Sequence, residues 1–258
     1  MDSPAPLISI IIPTFKRDEL LKYGLDSIST LNIPWEYEII VLDEFVGTST
    51  EDLCKNYSHV RYIKTRPNET EDTIQWRAPG IAINHGVKQS RGSIIILACP
   101  EIYHLDKNNM INLVTPLLQS TGIVTHTQGY DDQDGDLLIA LATKKADGFN
   151  VTNHFGMRDL CTRYAFFLAM NKSDFVAIGG YDEDFQNGYC FDDTNFSQRL
   201  QNNGCKFTVV PGAIAHIYHK RLRYNLPHIK ELWYKNEALN LARIKDTVAN
   251  AGKEWGQI

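Results

Sequence analysis

Three apolar, β-branched runs constrain this chain most: LISIII at 7–12, YEIIVL at 37–42 and IIILA at 94–98. They stop abruptly at Pro13, Asp43 and Cys99-Pro100. Runs this short and this uniformly apolar read as strands buried on both faces, as in a parallel sheet. A shorter strand is expected at 60–63. Helices are expected between the strands. Residues 16–31 carry Leu20, Leu21, Leu25 and Ile28 at helical spacing, and 49–57 has Thr48 or Ser49 as its cap. Residues 77–89 hold Pro79 and Gly80 near the start, where proline is tolerated. Strand–helix alternation of this kind predicts an α/β fold, a mostly parallel sheet with helices on both faces.

After Glu101 the alternation lapses. Helices are expected at 108–119, 172–178 and 191–203, the last closed by Gly204. Strands are expected at 122–126, 164–170, 206–210 and 213–218. The acidic stretch 130–136 (YDDQDGD) lacks the further ligand spacing of a calcium loop, so it reads as a solvated turn. Residues 147–162 show no clear period. A final helix is expected at 227–250, with Ile229, Leu232, Trp233, Leu239 and Ala242 on roughly one side. Lys235, Asn236, Glu237 and Asn240 interrupt its apolar face, which excludes a membrane span. Packing on the rest of the chain is expected; Trp233, Tyr234 and the basic run 220–223 would also suit peripheral membrane contact.

With 258 residues the chain can bury a sizeable core. A net charge of −5 argues against a general nucleic-acid binder. Five cysteines, with no CxxC, suggest reduced thiols and a cytoplasmic location. The start of the chain has no basic segment before its short apolar run, so neither a signal peptide nor a span is expected there.

Ligands of open α/β sheets bind beyond the carboxyl ends of the strands. Pro13-Thr14-Phe15-Lys16-Arg17, Asp43-Glu44 and Cys99-Pro100-Glu101 follow strands, and Asp192-Asp193 opens a helix. Several acids at one sheet edge repel one another unless something compensates them. A divalent cation carrying a phosphate ligand would do so.

In this order the segments resemble the GT-A nucleotide-sugar glycosyltransferases, specifically family 2. SIIIPTFKR is similar to that family's opening strand, and EIIVLDE to its E-I-I-V-V-D-D. Arg77-x6-Asn84-x-Gly86 followed by RGSIIIL resembles the approach to its D-x-D. GGYDEDFQNGYCFDDTNFSQRLQNNG resembles its acceptor-side pattern, and AIAHIYH a late histidine segment of GT-A enzymes. The resemblance covers roughly residues 7–220.

It implies a single GT-A domain over 1–225, with a nucleotide-binding half to about 104, an acceptor half from about 105, and a C-terminal helical extension at 226–258. By the same resemblance, Pro13, Thr14 and Phe15 would line the base pocket. Asp43 would accept from the base, and Arg77 would approach the ribose or diphosphate. Arg17, Glu44 and Asn84 would complete the donor side. Asp193 would be the general base of an inverting transfer to a hydroxyl acceptor on a glycan or other molecule, with Asp192 orienting the acceptor or capping the helix. The family's D-x-D is replaced here by Ala98-Cys99-Pro100-Glu101. Glu101 and His216 are therefore the implied ligands of a Mn2+ or Mg2+ ion. His104 and His219 read as ordinary histidines.

The lost D-x-D keeps a second function open, a non-catalytic nucleotide-sugar or glycan-binding module. A sugar nucleotidyltransferase or dehydrogenase is disfavoured, because PTFKRDE holds no glycine for a phosphate loop.

Overall fold

A computed structural model describes residues 8–146, 156–158, 167–220 and 228–258, with the backbone alone at 156–158. Cys161, Arg221, Leu222, Arg223 and Pro227 fall outside these residues, as do most of 147–162 and the start of the strand expected at 164–170.

The first half forms as the sequence predicts. Strands β1 (Ile8–Thr14), β2 (Tyr37–Asp43), β3 (Val60–Lys64) and β4 (Ile94–Ala98) alternate with helices α1 (Asp18–Ile28), α2 (Ser49–Cys54) and α3 (Gly80–Gln89). β1 lies between β2 and β4, and all three of these pairings, counting β2 with β3, are parallel. Every residue of β4 is buried, which is why that run carries no polar side chain. At the amino end of the sheet, Ser9 Oγ donates to Glu38 Oε1 at 2.8 Å, and the Arg91 and Gly92 amides reach Glu38 and Ser9. A Cβ on Gly92 would stand 2.7 Å from the Ser9 nitrogen, so the turn before β4 requires glycine.

The second half contributes β5 (Ile102–His104), β6 (Ile123–Asp131), β7 (Gly156–Arg158), β8 (Phe167–Asn171) and β9 (Lys206–His216). Its helices are α4 (Asn109–Val114), α5 (Asp136–Ala142), α6 (Lys172–Ala177), α7 (Asp192–Asn202) and α8 (Ile229–Ala242). The sheet runs β3-β2-β1-β4-β8-β6-β9-β5, with β7 on β6. The α/β class stands. The sheet is parallel through its first half and mixed as a whole, since β8 runs antiparallel to both β4 and β6, and β5 to β9.

Three local expectations are corrected. The strands expected at 206–210 and 213–218 are one continuous β9. Its Pro211-Gly212 break is absorbed where the β6 register shifts between His126 and Gln128. The acidic stretch 130–136 is not a solvated turn: Asp131 and Asp132 are buried. Asp132 caps an unexpected helix, its carboxylate accepting from Leu137 N and Leu138 N at 3.1 Å each and from Tyr218 N at 3.2 Å. The last helix ends at Ala242, and the chain beyond it turns back onto the domain. There Ala249 N bonds Ile178 O and Gly256 N bonds Glu183 Oε1. Trp233 packs edge-on to Phe191 at 5.0 Å, so of the two aromatic residues expected to meet a membrane only Tyr234 is well exposed.

One contact positions the site. α1 lies directly on the exit from β4: a Cβ on Gly24 would meet Pro100 O at 3.0 Å and Ile102 O at 3.1 Å. Ser27 Oγ accepts from His104 N at 3.3 Å. Small residues on that helix face let it hold the Glu101 turn in place.

Candidate active site

Strand register assembles the first cluster. β5 runs antiparallel to β9 with Ile102 opposite His216, and Ile217 N donates to Glu101 O at 2.9 Å. Glu101 and His216 are thereby brought together, as the resemblance implied. His219 joins them, with one candidate ligand atom from each of the three within 4.8 Å of the others. The expectation that His219 is an ordinary histidine is corrected: its Nε2 lies 3.6 Å from Glu101 Oε1, and its ring lies 5.2 Å from that of His216. The two histidines lie three apart in HIYH at the end of β9, which is the signal the sequence offered. Asp131 Oδ1, 3.4 Å from His216 Nδ1, backs the ring, as carboxylates behind ligating histidines commonly do. One carboxylate and two imidazoles form a mixed set that fits Mn2+ better than Mg2+, which prefers oxygen alone. His104 keeps its ordinary reading. It is buried edge-on to Phe167, and burial pushes its imidazole down to about 3, so it stays neutral. Arg17 Nε donates to Glu101 Oε1 at 3.0 Å, so Arg17 belongs to this cluster.

The ends of β1 and β2 form the neighbouring floor. Thr14 is buried and its hydroxyl finds no protein partner among the described residues, an orphan that a ligand would satisfy. Phe15 meets Phe45 edge-on at 5.7 Å, and Lys16 Nζ lies 4.2 Å from the Phe45 ring centroid. Phe45 escaped the sequence reading because it follows the acids instead of ending a strand. Asp43 is wholly buried, accepting from Phe45 N at 3.0 Å and Tyr62 Oη at 3.1 Å, and burial raises its pKa. It holds the Phe45 turn from beneath and has no exposed surface of its own.

Glu44 and Asn84 have their polar atoms engaged within the protein. Glu44 accepts from Thr65 and Arg66, and from Arg77 through both oxygens (Nε–Oε2 3.0 Å, Nη2–Oε1 2.5 Å). It serves to anchor guanidinium groups, and Arg77 is held by that fork. Asn84, buried inside α3, donates to Tyr181 O and Glu183 Oε1 and accepts from Tyr181 N at 2.7 Å. That corrects its placement on the donor side: it clamps the loop bearing Tyr181.

The third part is the acid pair at the start of α7. Phe196 and Leu200, fully buried, fix the helix axis. Cys190 (φ 62°) and Phe191 (φ 69°) approach it in the left-handed region, unusual for residues with side chains. α8 holds them there. Asn236 Nδ2 donates to Cys190 O at 2.8 Å, and Tyr189 N bonds Leu232 O at 3.1 Å. Tyr181, fully buried and stacked on Phe196 at 4.2 Å and 5°, donates its hydroxyl to Asp193 Oδ1 at 3.0 Å. Burial raises the Asp192 pKa. Burial and then the charge of Asp192 raise that of Asp193 well above the usual range, with the Tyr181 hydroxyl opposing.

The sign of these shifts gives a test. A carboxyl whose folded pKa is raised costs stability as pH climbs from its unfolded value toward the folded one, and the cost persists above. Asp192→Asn should therefore raise the melting temperature at about pH 7 and have little effect at about pH 4, near the unfolded carboxylate pKa. It should also lower the Asp193 pKa and move any acid limb of activity to lower pH. A melting scan at both pH values checks the first effect and a pH–rate profile the second.

These features lie on an open sheet with its candidate groups at the strand ends, which is the GT-A arrangement. Two family models match in sequence order: Glycosyl transferase family 2 over residues 9–98, and one described as the N-terminal domain of galactosyltransferase over 149–222. A search of curated proteins finds no match. Solved structures share the fold. A mannosyltransferase, PcManGT from Pyrobaculum calidifontis in complex with GDP-Man and Mn2+, matches at TM-score 0.58 and 15% identity, covering 85% of this chain and 59% of that one. S. aureus TarS matches at TM-score 0.56 and 14% identity, covering 81% and 60%. GalNAc-T7 with UDP, GalNAc and Mn2+ matches at 0.61 and 16%, covering 84% and 45%. The chain thus spans 45% to 60% of the length of these structures. Its fold is the one these GT-A glycosyltransferases share, and its residues 9–98 are similar to family 2.

Proposed function

We propose that this domain transfers a sugar, with inversion, from a nucleoside-diphosphate sugar to a hydroxyl on a glycan or other acceptor. The observation that carries the reading is Asp193: a half-buried carboxylate with a raised pKa, oriented by Tyr181 at the first turn of a packed helix. A binding module needs no oriented base.

In this reading Phe15 and Phe45 flank the base, with Pro13 and Thr14 as the floor and Asp43 fixing the Phe45 turn. Arg17 and Arg77 face the diphosphate, Arg77 presented by Glu44. Asp193 takes the proton from the acceptor hydroxyl as that oxygen attacks the anomeric carbon. Asp192 caps the helix and shapes the acceptor side. Glu101, His216 and His219 would hold a divalent cation, which would supply positive charge against the departing diphosphate. The neighbours solved with GDP-Man or UDP and with Mn2+ support the donor class and the cation. The donor half would extend to about residue 104 and the acceptor half from 105 to 225, a division consistent with the two family matches. The extension at 226–258 would brace the acceptor half. Among the described residues no helix is long and apolar enough to cross a membrane. The buried thiols of Cys54 and Cys205 fit a cytoplasmic setting.

The non-catalytic reading has one observation in its favour, the guanidinium of Arg17 on Glu101. A panel of nucleotide sugars, with and without Mn2+, separates the two. Release of nucleoside diphosphate from one donor, enhanced by Mn2+, is expected. Binding of a donor without turnover in the presence of acceptor glycans would overturn the enzyme reading.

A further inference from the structure

Arg17 opens α1 and carries its guanidinium onto the ligand cluster. Nε donates to Glu101 Oε1 at 3.0 Å, and that same oxygen lies 3.6 Å from His219 Nε2. Nη2 lies 3.1 Å from His219 Nδ1 and donates to Lys220 O at 3.3 Å. The side chain is held from behind, because α1 rests on residues 100–104 through Gly24 and Ser27. Two of the three candidate ligands are therefore already engaged by a fixed positive charge. A divalent cation and a guanidinium repel each other at these distances in a largely buried site, so they compete for the same carboxylate.

We propose that Arg17 is a built-in competitor for the metal, and that a nucleoside diphosphate relieves the competition by pairing with Arg17. The second half rests on the glycosyltransferase reading; the competition itself concerns only residues of this chain. A planar fork that grips one carboxylate oxygen is equally suited to a phosphate, where its hydrogen bonds are charge-assisted on both sides. Release of Arg17 would hand Glu101 and His219 to the cation, so metal and donor would bind with positive coupling, each raising the affinity of the other by the same factor. The free protein would hold Mn2+ weakly even though its three ligands are in place.

The test reads Mn2+ binding by electron paramagnetic resonance of the free ion, on the full chain. Wild type, Arg17→Gln, Arg17→Lys and His219→Ala are titrated with Mn2+ alone, then with GDP and with UDP. Each variant is first matched to wild type by thermal melting. Arg17→Gln is expected to bind Mn2+ alone about tenfold or more tightly than wild type, the scale of about 1.4 kcal/mol per decade. Arg17→Lys, which keeps the charge, should stay close to wild type, and His219→Ala should bind more weakly. Nucleotide should tighten Mn2+ binding in wild type and do so much less in Arg17→Gln. Equal Mn2+ affinity in wild type and folded Arg17→Gln would overturn the competition. A tighter Arg17→Gln without any nucleotide effect in wild type would keep the competition and overturn the diphosphate half, and the turnover panel would then decide whether the donor reading falls with it.

Discussion

Asp193→Asn is expected to lower sugar transfer by about 10²–10⁴-fold, the usual contribution of a general base, with donor and Mn2+ affinity nearly unchanged. The substitution keeps the shape of the side chain and one oxygen for the Tyr181 hydroxyl, so α7 and the Tyr181–Phe196 stack have no reason to move. What it removes is the proton acceptor. Three features would suit this position to the proposed role of base. Burial and the neighbouring Asp192 raise its proton affinity, so it is a stronger base than an exposed aspartate. Tyr181 engages Oδ1, and Oδ2 would remain for the acceptor hydroxyl. The approach through Cys190 and Phe191 in left-handed conformations is braced by α8, which keeps the first turn from fraying. Tyr181→Phe should produce a smaller loss than Asp193→Asn, because it frees the carboxylate without removing it. Transfer by Asp193→Asn at close to the wild-type rate would refute the assignment, as would abolition of transfer by Asp192→Asn alone.

The first half of the fold is legible because each of its strands is locally determined. A five-residue run such as Ile94–Ala98 has no other place than a sheet interior, and the residue after it must leave that interior. What the sequence could not reveal depends on pairings between distant segments. His219 enters the ligand cluster only because β5 meets the end of β9, and a three-residue strand such as Ile102–His104 has no pattern of its own. Asp132 looked solvated because acids in a row usually are; a helix amino terminus beside it and the Tyr218 amide give it buried partners. Asn84 was placed on the donor side by its position in a motif. Its complete burial shows that the motif also encodes the clamp on the Tyr181 loop. Pro211-Gly212 suggested a break, yet the neighbouring register shift accommodates it inside a single strand.

Arg199→Met is expected to destabilise the protein by about 3 kcal/mol, from the Gly180 carbonyl and Asn195 Oδ1 losing their donor at roughly 1–3 kcal/mol each, while Ile178 O keeps Ala249 N. Arg199 is 1% exposed inside α7. One of its terminal nitrogens donates to both Ile178 O and Gly180 O at 2.7 Å, while Nε donates to Asn195 Oδ1 at 2.9 Å. Gly179 (φ 71°) and Gly180 (φ 68°) between those carbonyls have no freedom to adjust. A Cβ on Gly179 would stand 2.1 Å from Ala249 O, and one on Gly180 would stand 2.4 Å from Asn84 Oδ1. Burial pushes the Arg199 pKa down to about 10, so the group remains charged at neutral pH and its desolvation cost is real. Methionine recovers that cost and fills much of the volume, which is why the expected loss is about 3 kcal/mol and not the sum of every bond removed. In a chain of this size that corresponds to a fall of about 6 °C in melting temperature. The returning segment also grips the loop, through Asn250 Nδ2 to Gly179 O at 2.9 Å and to Tyr181 O at 2.7 Å. Loss of Arg199 should therefore loosen Tyr181 and its hold on Asp193 before the domain melts, so activity at a temperature where the variant is folded should drop as well. If Arg199→Met melts with wild type and transfers sugar normally, the returning segment alone holds the loop, and the buried guanidinium does not set the geometry of the base.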